Sequence, residues 1–192
     1  MDQRNHFENG SVIWNLRSTT KYDAIREVIH DTPVFRSIDG FNITGFEEKV
    51  IARERLQSTG FGHGVAVAHG RIEDVDGAYI ALGVSPDGID FDAVDGKPVH
   101  LLFVVATHPG MPMDYLRILS TLVGLVRNEG FRTDLLGCAC REDVEHKLRT
   151  AFNLMMAKVS GEGGNLTAGN VGSTKGQMAS QTGGSSQDFA LA

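Results

Sequence analysis

At 192 residues, with 41% hydrophobic and 22% charged residues, the chain can bury one full hydrophobic core and has the composition of an ordinary globular protein. A formal net charge of -6 argues against nucleic acid, whose phosphates call for an excess of Lys and Arg. No apolar run is long enough to cross a bilayer as a helix, and the start Met1-Asp2-Gln3-Arg4-Asn5-His6 has no apolar signal region, so a cytoplasmic protein without membrane insertion is expected.

Residues 1–11 read as a polar arm, and Val12-Ile13-Trp14-Asn15-Leu16 as an edge strand or extended lead-in. Thr20 with Asp23 has the spacing of a capping box, followed by Tyr22, Ile25, Val28 and Ile29 at helical intervals, and this helix should stop before Pro33. A second box, Thr44-Gly45-Phe46-Glu47, predicts a helix to about Leu56 with Phe46, Val50 and Ile51 inward, which carries Arg53, Glu54 and Arg55 to the rim of a glycine-rich turn. That turn, with glycines at 60, 62 and 64, feeds the short apolar strand Val65-Ala66-Val67, which ends at His69.

Gly70 to Val75 reads as a loop and Ala78 to Val84 as a strand. Ser85-Pro86-Asp87-Gly88 and Val94-Asp95-Gly96-Lys97-Pro98 are turn signals bracketing Ile89-Asp90-Phe91-Asp92. Val99 to Ala106 is apolar on both faces, the pattern of a central strand, and stops at Thr107-His108-Pro109-Gly110. Met113, Leu116, Leu119, Leu122, Val123 and Val126 mark an amphipathic helix, a short one follows around Arg132 to Leu136, and Val144, Leu148, Ala151, Phe152, Met155 and Met156 mark the last.

From about Gly161 the chain is rich in Gly, Ser, Thr, Gln and Asn without periodicity. The expected organisation is one α/β domain over 1–159, a mixed sheet flanked by helices, with a flexible tail over 160–192 in which Phe189-Ala190-Leu191 is a small docking hook.

Two cysteines, Cys138 and Cys140, are too few for a disulfide scaffold and have no partner pair at a zinc spacing. Gly60-x-Gly62-x-Gly64 departs from G-x-G-x-x-G because Val65 stands where its third glycine would fall, and no phosphate loop of the G-x-x-x-x-G-K-[ST] type occurs. No metal, nucleotide or other cofactor is therefore expected. A histidine at a strand end beside a glycine turn is a good place for a nucleophile, although any one of seven histidines is more often structural. For Arg53, a solvated helix face is the default reading.

Arg53-Glu54-x-Leu56-x-Ser58-Thr59-Gly60-Phe61-Gly62-x-Gly64-Val65-Ala66-Val67-Ala68-His69-Gly70-Arg71, with Ala81-Leu82-Gly83, Gly88-Ile89-Asp90-Phe91-Asp92 and Asp95-Gly96-Lys97-Pro98-Val99, resembles the fructose/mannitol type enzyme IIA domain of the bacterial phosphotransferase system, a family that includes the nitrogen-regulatory IIA proteins. The likeness extends from about Val12 to Ala157. It implies that His69 accepts a phosphoryl group from an HPr-like phosphocarrier, that Arg53 binds the phosphate, and that backbone N–H groups of the loop holding Thr59 and Gly62 assist. The onward partner would be a IIB domain in fructose/mannitol-type sugar uptake or a regulatory target in a nitrogen-type branch; a chain of this length without an attached IIB or IIC domain favours regulation. Two departures stand out. Ala68 replaces the family's proline before the active histidine, and Asp114-Tyr115-Leu116 stands where many members have a second histidine, which leaves His108 either its substitute or merely an exposed loop residue. These departures also leave open a degenerate, phosphate-free binding protein.

Overall fold

The computed structural model describes residue 7 and residues 10–162, so the expected tail lies, from residue 163 on, outside the described residues, as do most of residues 1–9. In chain order the elements are β1 (Val12–Trp14), α1 (Lys21–Asp31), α2 (Pro33–Arg36), α3 (Ile43–Leu56), β2 (Gly60–Gly62), β3 (Val65–Arg71), β4 (Ala78–Ile89), β5 (Val99–Thr107), α4 (Pro112–Arg127), α5 (Glu129–Leu136) and α6 (Arg141–Glu162). The strands form one sheet in the order β1-β4-β5-β3-β2. β1 is parallel to β4 and β3 to β5, whereas β4 with β5 and β2 with β3 are antiparallel. This is the mixed α/β sheet expected, with β1 at an edge and β5 in the middle.

Strand alternation divides the core in two. Ala66, Ala68, Ala81, Leu102, Val104 and Ala106 pack with Ile25, Val28, Phe35, Phe46 and Val50 of α1–α3. On the other face, Val65, Val67, Leu82, Leu101, Phe103 and Val105 pack with Ile118, Leu122, Leu148 and Phe152 of α4 and α6. β5 is apolar on both faces because helices cover both.

Several details differ from the sequence reading, each for a local reason. Thr20 is the N-cap of α1, but its hydroxyl donates to the Asp23 carboxylate at 2.7 Å instead of accepting from a helix N–H. The cap of α3 is Asn42, whose side-chain oxygen accepts from the Gly45 N–H at 2.9 Å, so Thr44 already lies inside the helix. Pro33, expected only as a stop, also opens α2 as its first residue. Ser85 to Gly88 does not end β4; it bulges within the strand, which pairs Val84 with Leu101 and Ile89 with Val99, while the Ser85 hydroxyl accepts from the Gly88 N–H. β3 runs on through His69 and Gly70 to Arg71 because β5 pairs with it to Thr107. In α4 the buried stripe is Ile118, Leu122, Leu125 and Val126, and Met113 and Leu116 are left exposed. Extended one turn upstream, that stripe reaches Tyr115.

Candidate functional site

His69 stands opposite Val105 in the parallel β3–β5 ladder, near the end where β5 passes into α4. The register continues through Ala68 opposite Val104, and Ala68 is fully buried, so the missing proline leaves the strand intact. On the far side, Gly70 lets α3 approach: a Cβ there would lie 2.9 Å from Val50 Cγ2 and 3.0 Å from Phe46 Cε2. The two strands and α3 thus bring the C-terminal turn of α3 and the first turn of α4 to the same end of the sheet.

The imidazole is oriented by its own strand. His69 Nδ1 lies 3.0 Å from the Val67 carbonyl oxygen. A carbonyl only accepts, so Nδ1 carries the proton of the neutral ring and Nε2 keeps the lone pair. Burial, the largest cause, holds the ring's pKa below its ordinary value; the bond to Val67 opposes this, the charge of Arg53 lowers it, Glu54 raises it and Arg71 lowers it. His69 is therefore neutral near pH 7, with one nitrogen fixed as donor and the other free to attack.

Arg53, in the last turn of α3, is partly buried, and its Nη1 donates to the Gln57 carbonyl at 3.1 Å. Its charge acts on both His69 and Tyr115. The adjacent Glu54 is 2% exposed; its carboxylate accepts from the Thr59 N–H at 2.9 Å and the Thr59 hydroxyl at 2.5 Å, and the Lys21 ammonium lies 3.4 Å away. Thr59 in turn accepts from the Val67 N–H at 3.2 Å. The loop candidates are thereby tied to both helix and strand. Gly62, at φ 92°, supplies a left-handed conformation, and beside it the His63 N–H donates to Asp95 at 2.9 Å. That N–H, with the Lys97 N–H, holds the Asp95 carboxylate below its usual range.

The second histidine candidate is engaged elsewhere. His108 Nδ1 accepts from the Gly110 N–H at 2.9 Å within the β5–α4 turn. The ring packed on His69 is that of Tyr115, with centroids 5.6 Å apart and planes inclined at 53°, and the Arg71 guanidinium lies 4.8 Å from the centre of the same tyrosine ring. Burial raises the pKa of Tyr115 although Arg71 and Arg53 act to lower it, so its phenol is neutral.

Glu54, Arg71 and the contact role of Tyr115 were not singled out from the sequence. Each had a signal there. Glu54 continues the inward four-residue spacing of Phe46 and Val50, Arg71 follows His69 by two on one strand, and Tyr115 heads the inward stripe of α4. Among the described residues, no cluster of three or more His, Cys, Asp or Glu side chains is arranged to hold a metal ion, and no helix is long and apolar enough to cross a membrane.

A mixed sheet that presents a neutral, oriented histidine with an arginine charge acting on its ring suits group-transfer chemistry. The chain belongs to the family described as phosphoenolpyruvate-dependent sugar phosphotransferase system, EIIA 2, which matches residues 5–149. It is 34% identical over 122 residues to the fructose-specific EIIABC component of Bacillus subtilis, covering 64% of this chain and 19% of that protein. It is 32% identical over 118 residues to a nitrogen regulatory protein of Pseudomonas aeruginosa, covering 62% of this chain and 68% of that one. Among solved structures, the nitrogen regulatory protein IIA-Ntr of Neisseria meningitidis superposes with a TM-score of 0.66 at 27% identity, covering 74% of this chain and 93% of that one. The mannitol IIA of Escherichia coli, at 18% identity and a TM-score of 0.60 over 73% of this chain and 97% of that one, shares the fold. The chain thus has the family and fold of the EIIA phosphocarriers, while it spans only 19% of the length of the EIIABC component it matches.

Proposed function

We propose that Nε2 of His69 receives a phosphoryl group from the phosphohistidine of an HPr-like carrier, that Arg53 steadies the transferred group, and that the chain serves a regulatory, nitrogen-type branch of the phosphotransferase system in the cytoplasm. The observation that carries the reading is the bond from His69 Nδ1–H to the Val67 carbonyl, which leaves the Nε2 lone pair as the only ring nucleophile. In the transfer, a bond forms between Nε2 and phosphorus as the donor's nitrogen–phosphorus bond breaks, its electron pair returning to the donor ring. The Nδ1 proton stays shared with Val67. Arg53, a permanently charged planar fork, meets the equatorial oxygens, where charge concentrates during transfer. The likeness to IIA-Ntr supports the regulatory branch, in which partners respond to the charge added at His69.

A second reading, delivery of the phosphoryl group to a IIB domain for fructose/mannitol-type uptake, is favoured by the 34% identity to the fructose-specific EIIABC component. A retained His69–Arg53 pair speaks against a degenerate, phosphate-free protein. The test is incubation with phosphoenolpyruvate, enzyme I and an HPr-like carrier, with intact mass read under alkaline conditions. One acid-labile adduct, absent from His69→Ala, is expected; an equal adduct on His69→Ala overturns the assignment. Rapid loss of the adduct to an added fructose-type IIB domain would select the transport reading.

A further inference from the structure

We propose that Arg71 is a second phosphate-binding cation of the His69 site and that the ring of Tyr115 is the platform holding it there. The proposal rests on His69 being the phosphorylated residue. On β3, Val65 and Val67 point into the core beneath α4 and α6, and His69 and Arg71 follow on the same face at intervals of two. Tyr115 heads the inward stripe of α4 at that end of the sheet. One aromatic ring consequently touches both residues: its centroid is 5.6 Å from that of His69 and 4.8 Å from the Arg71 guanidinium carbon.

The kind of contact matters. A cation–π contact holds a guanidinium through its charge and, unlike an ion pair with a carboxylate, does not have to use up its N–H donors. Among the described residues no ion pair involves Arg71, so no carboxylate competes for those donors. A phosphoryl group brings three strong acceptor oxygens and close to two negative charges, more than one arginine satisfies. Arg53 and Arg71 come from different elements, α3 and β3, and both charges act on the His69 ring and on Tyr115. The site then has a cation on either element beside the imidazole. A neutral tyrosine suits the space between: an ionisable imidazole there would titrate near pH 7, while the phenol stays uncharged and lends only its ring face.

The test uses the full chain and two phosphoryl donors, the phosphorylated HPr-like carrier and phosphoramidate, which is too small to need a docking surface. Arg71→Gln should slow phosphorylation of His69 on the order of tenfold to a hundredfold with both donors, and Arg71→Lys should recover part of the loss. Tyr115→Ala should show most of the same defect and add little in an Arg71→Gln background, while Tyr115→Phe, which keeps the ring, restores most of the rate lost in Tyr115→Ala. A defect confined to the protein carrier would overturn the proposal in favour of a docking role for Arg71. So would an Arg71→Gln variant as fast as wild type with both donors, or full additivity of the double variant. Failure of the underlying reading is seen separately, as wild-type protein that takes no phosphoryl group from either donor or an adduct that survives in His69→Ala.

Discussion

Both oxygens of the Glu54 carboxylate accept from Thr59, one from its N–H at 2.9 Å and the other from its hydroxyl at 2.5 Å. The pair links the end of α3, which carries Arg53, to the residue that leads into β2, the strand paired with β3, which carries His69. Glu54→Ala would strand the Thr59 N–H and leave the Lys21 ammonium, 12% exposed at its side chain, without its buried partner. A loss of about 3 kcal/mol in urea unfolding is expected, together with slower phosphorylation as Arg53 loses its fixed relation to His69. A variant that matches wild type in both measurements would show that the loop is held by other contacts.

Arg53 is not part of the core, so its removal should separate catalysis from folding. Arg53→Ala should slow phosphoryl transfer to His69 on the order of a hundredfold while shifting stability by no more than about 0.5 kcal/mol. Rapid-quench labelling beside thermal unfolding measures the two. A large stability loss with little rate loss would assign Arg53 to the α3 C-terminus, through its bond to Gln57.

Stability should carry the signature of His69. Its folded-state pKa lies below the unfolded value of 6.5. Well above pH 6.5 both states are neutral there and the residue adds no pH dependence. As pH falls through that value the unfolded chain takes up a proton that the folded chain refuses, so stability drops until the folded pKa is reached. Urea midpoints at about pH 7.5 and 5.5 should therefore fall further for wild type than for His69→Gln. Equal falls would mean that burial does not bias the ring toward its neutral form.

How far the sequence disclosed this follows from what each signal encodes. Alternation and helical spacing report which face is apolar, and they located β5, α1 and α6 correctly. Spacing is blind to partners in the adjacent strand: only pairing with β5 explains why β3 continues to Arg71, and only the bulge explains why Ser85 to Gly88 remains within β4. At the site, the motif around His69 and Arg53 was what singled them out as candidates. Glu54 was not singled out, and Tyr115 stood out only as a departure from the family's histidine, because a charged residue on a buried stripe and the contacts of an aromatic heading a helix acquire meaning only when another element meets them. The short first turn of α4 misled the reading further, since Met113 and Leu116 lie at helical spacing yet face outward.

The fit of α3 on β3 offers a purely steric test. Gly70→Ala would place a methyl carbon 2.9 Å from Val50 Cγ2 and 3.0 Å from Phe46 Cε2, inside normal contact. Pushing the helix outward should cost about 1–3 kcal/mol and also reduce the phosphorylation rate, because Arg53 moves with α3. A companion Val50→Ala change should return part of both losses. No recovery in the double variant would place the damage elsewhere on β3.

The most direct measurement is of the atom that carries the phosphoryl group. In protein labelled with nitrogen-15 in its histidines and phosphorylated through enzyme I and an HPr-like carrier, coupling between phosphorus and nitrogen identifies the bonded position. The account predicts phosphorus on Nε2 of His69, with the Nδ1 proton still held by the Val67 carbonyl. Phosphorus on Nδ1 of His69, or on His63, His100 or His108, would contradict it.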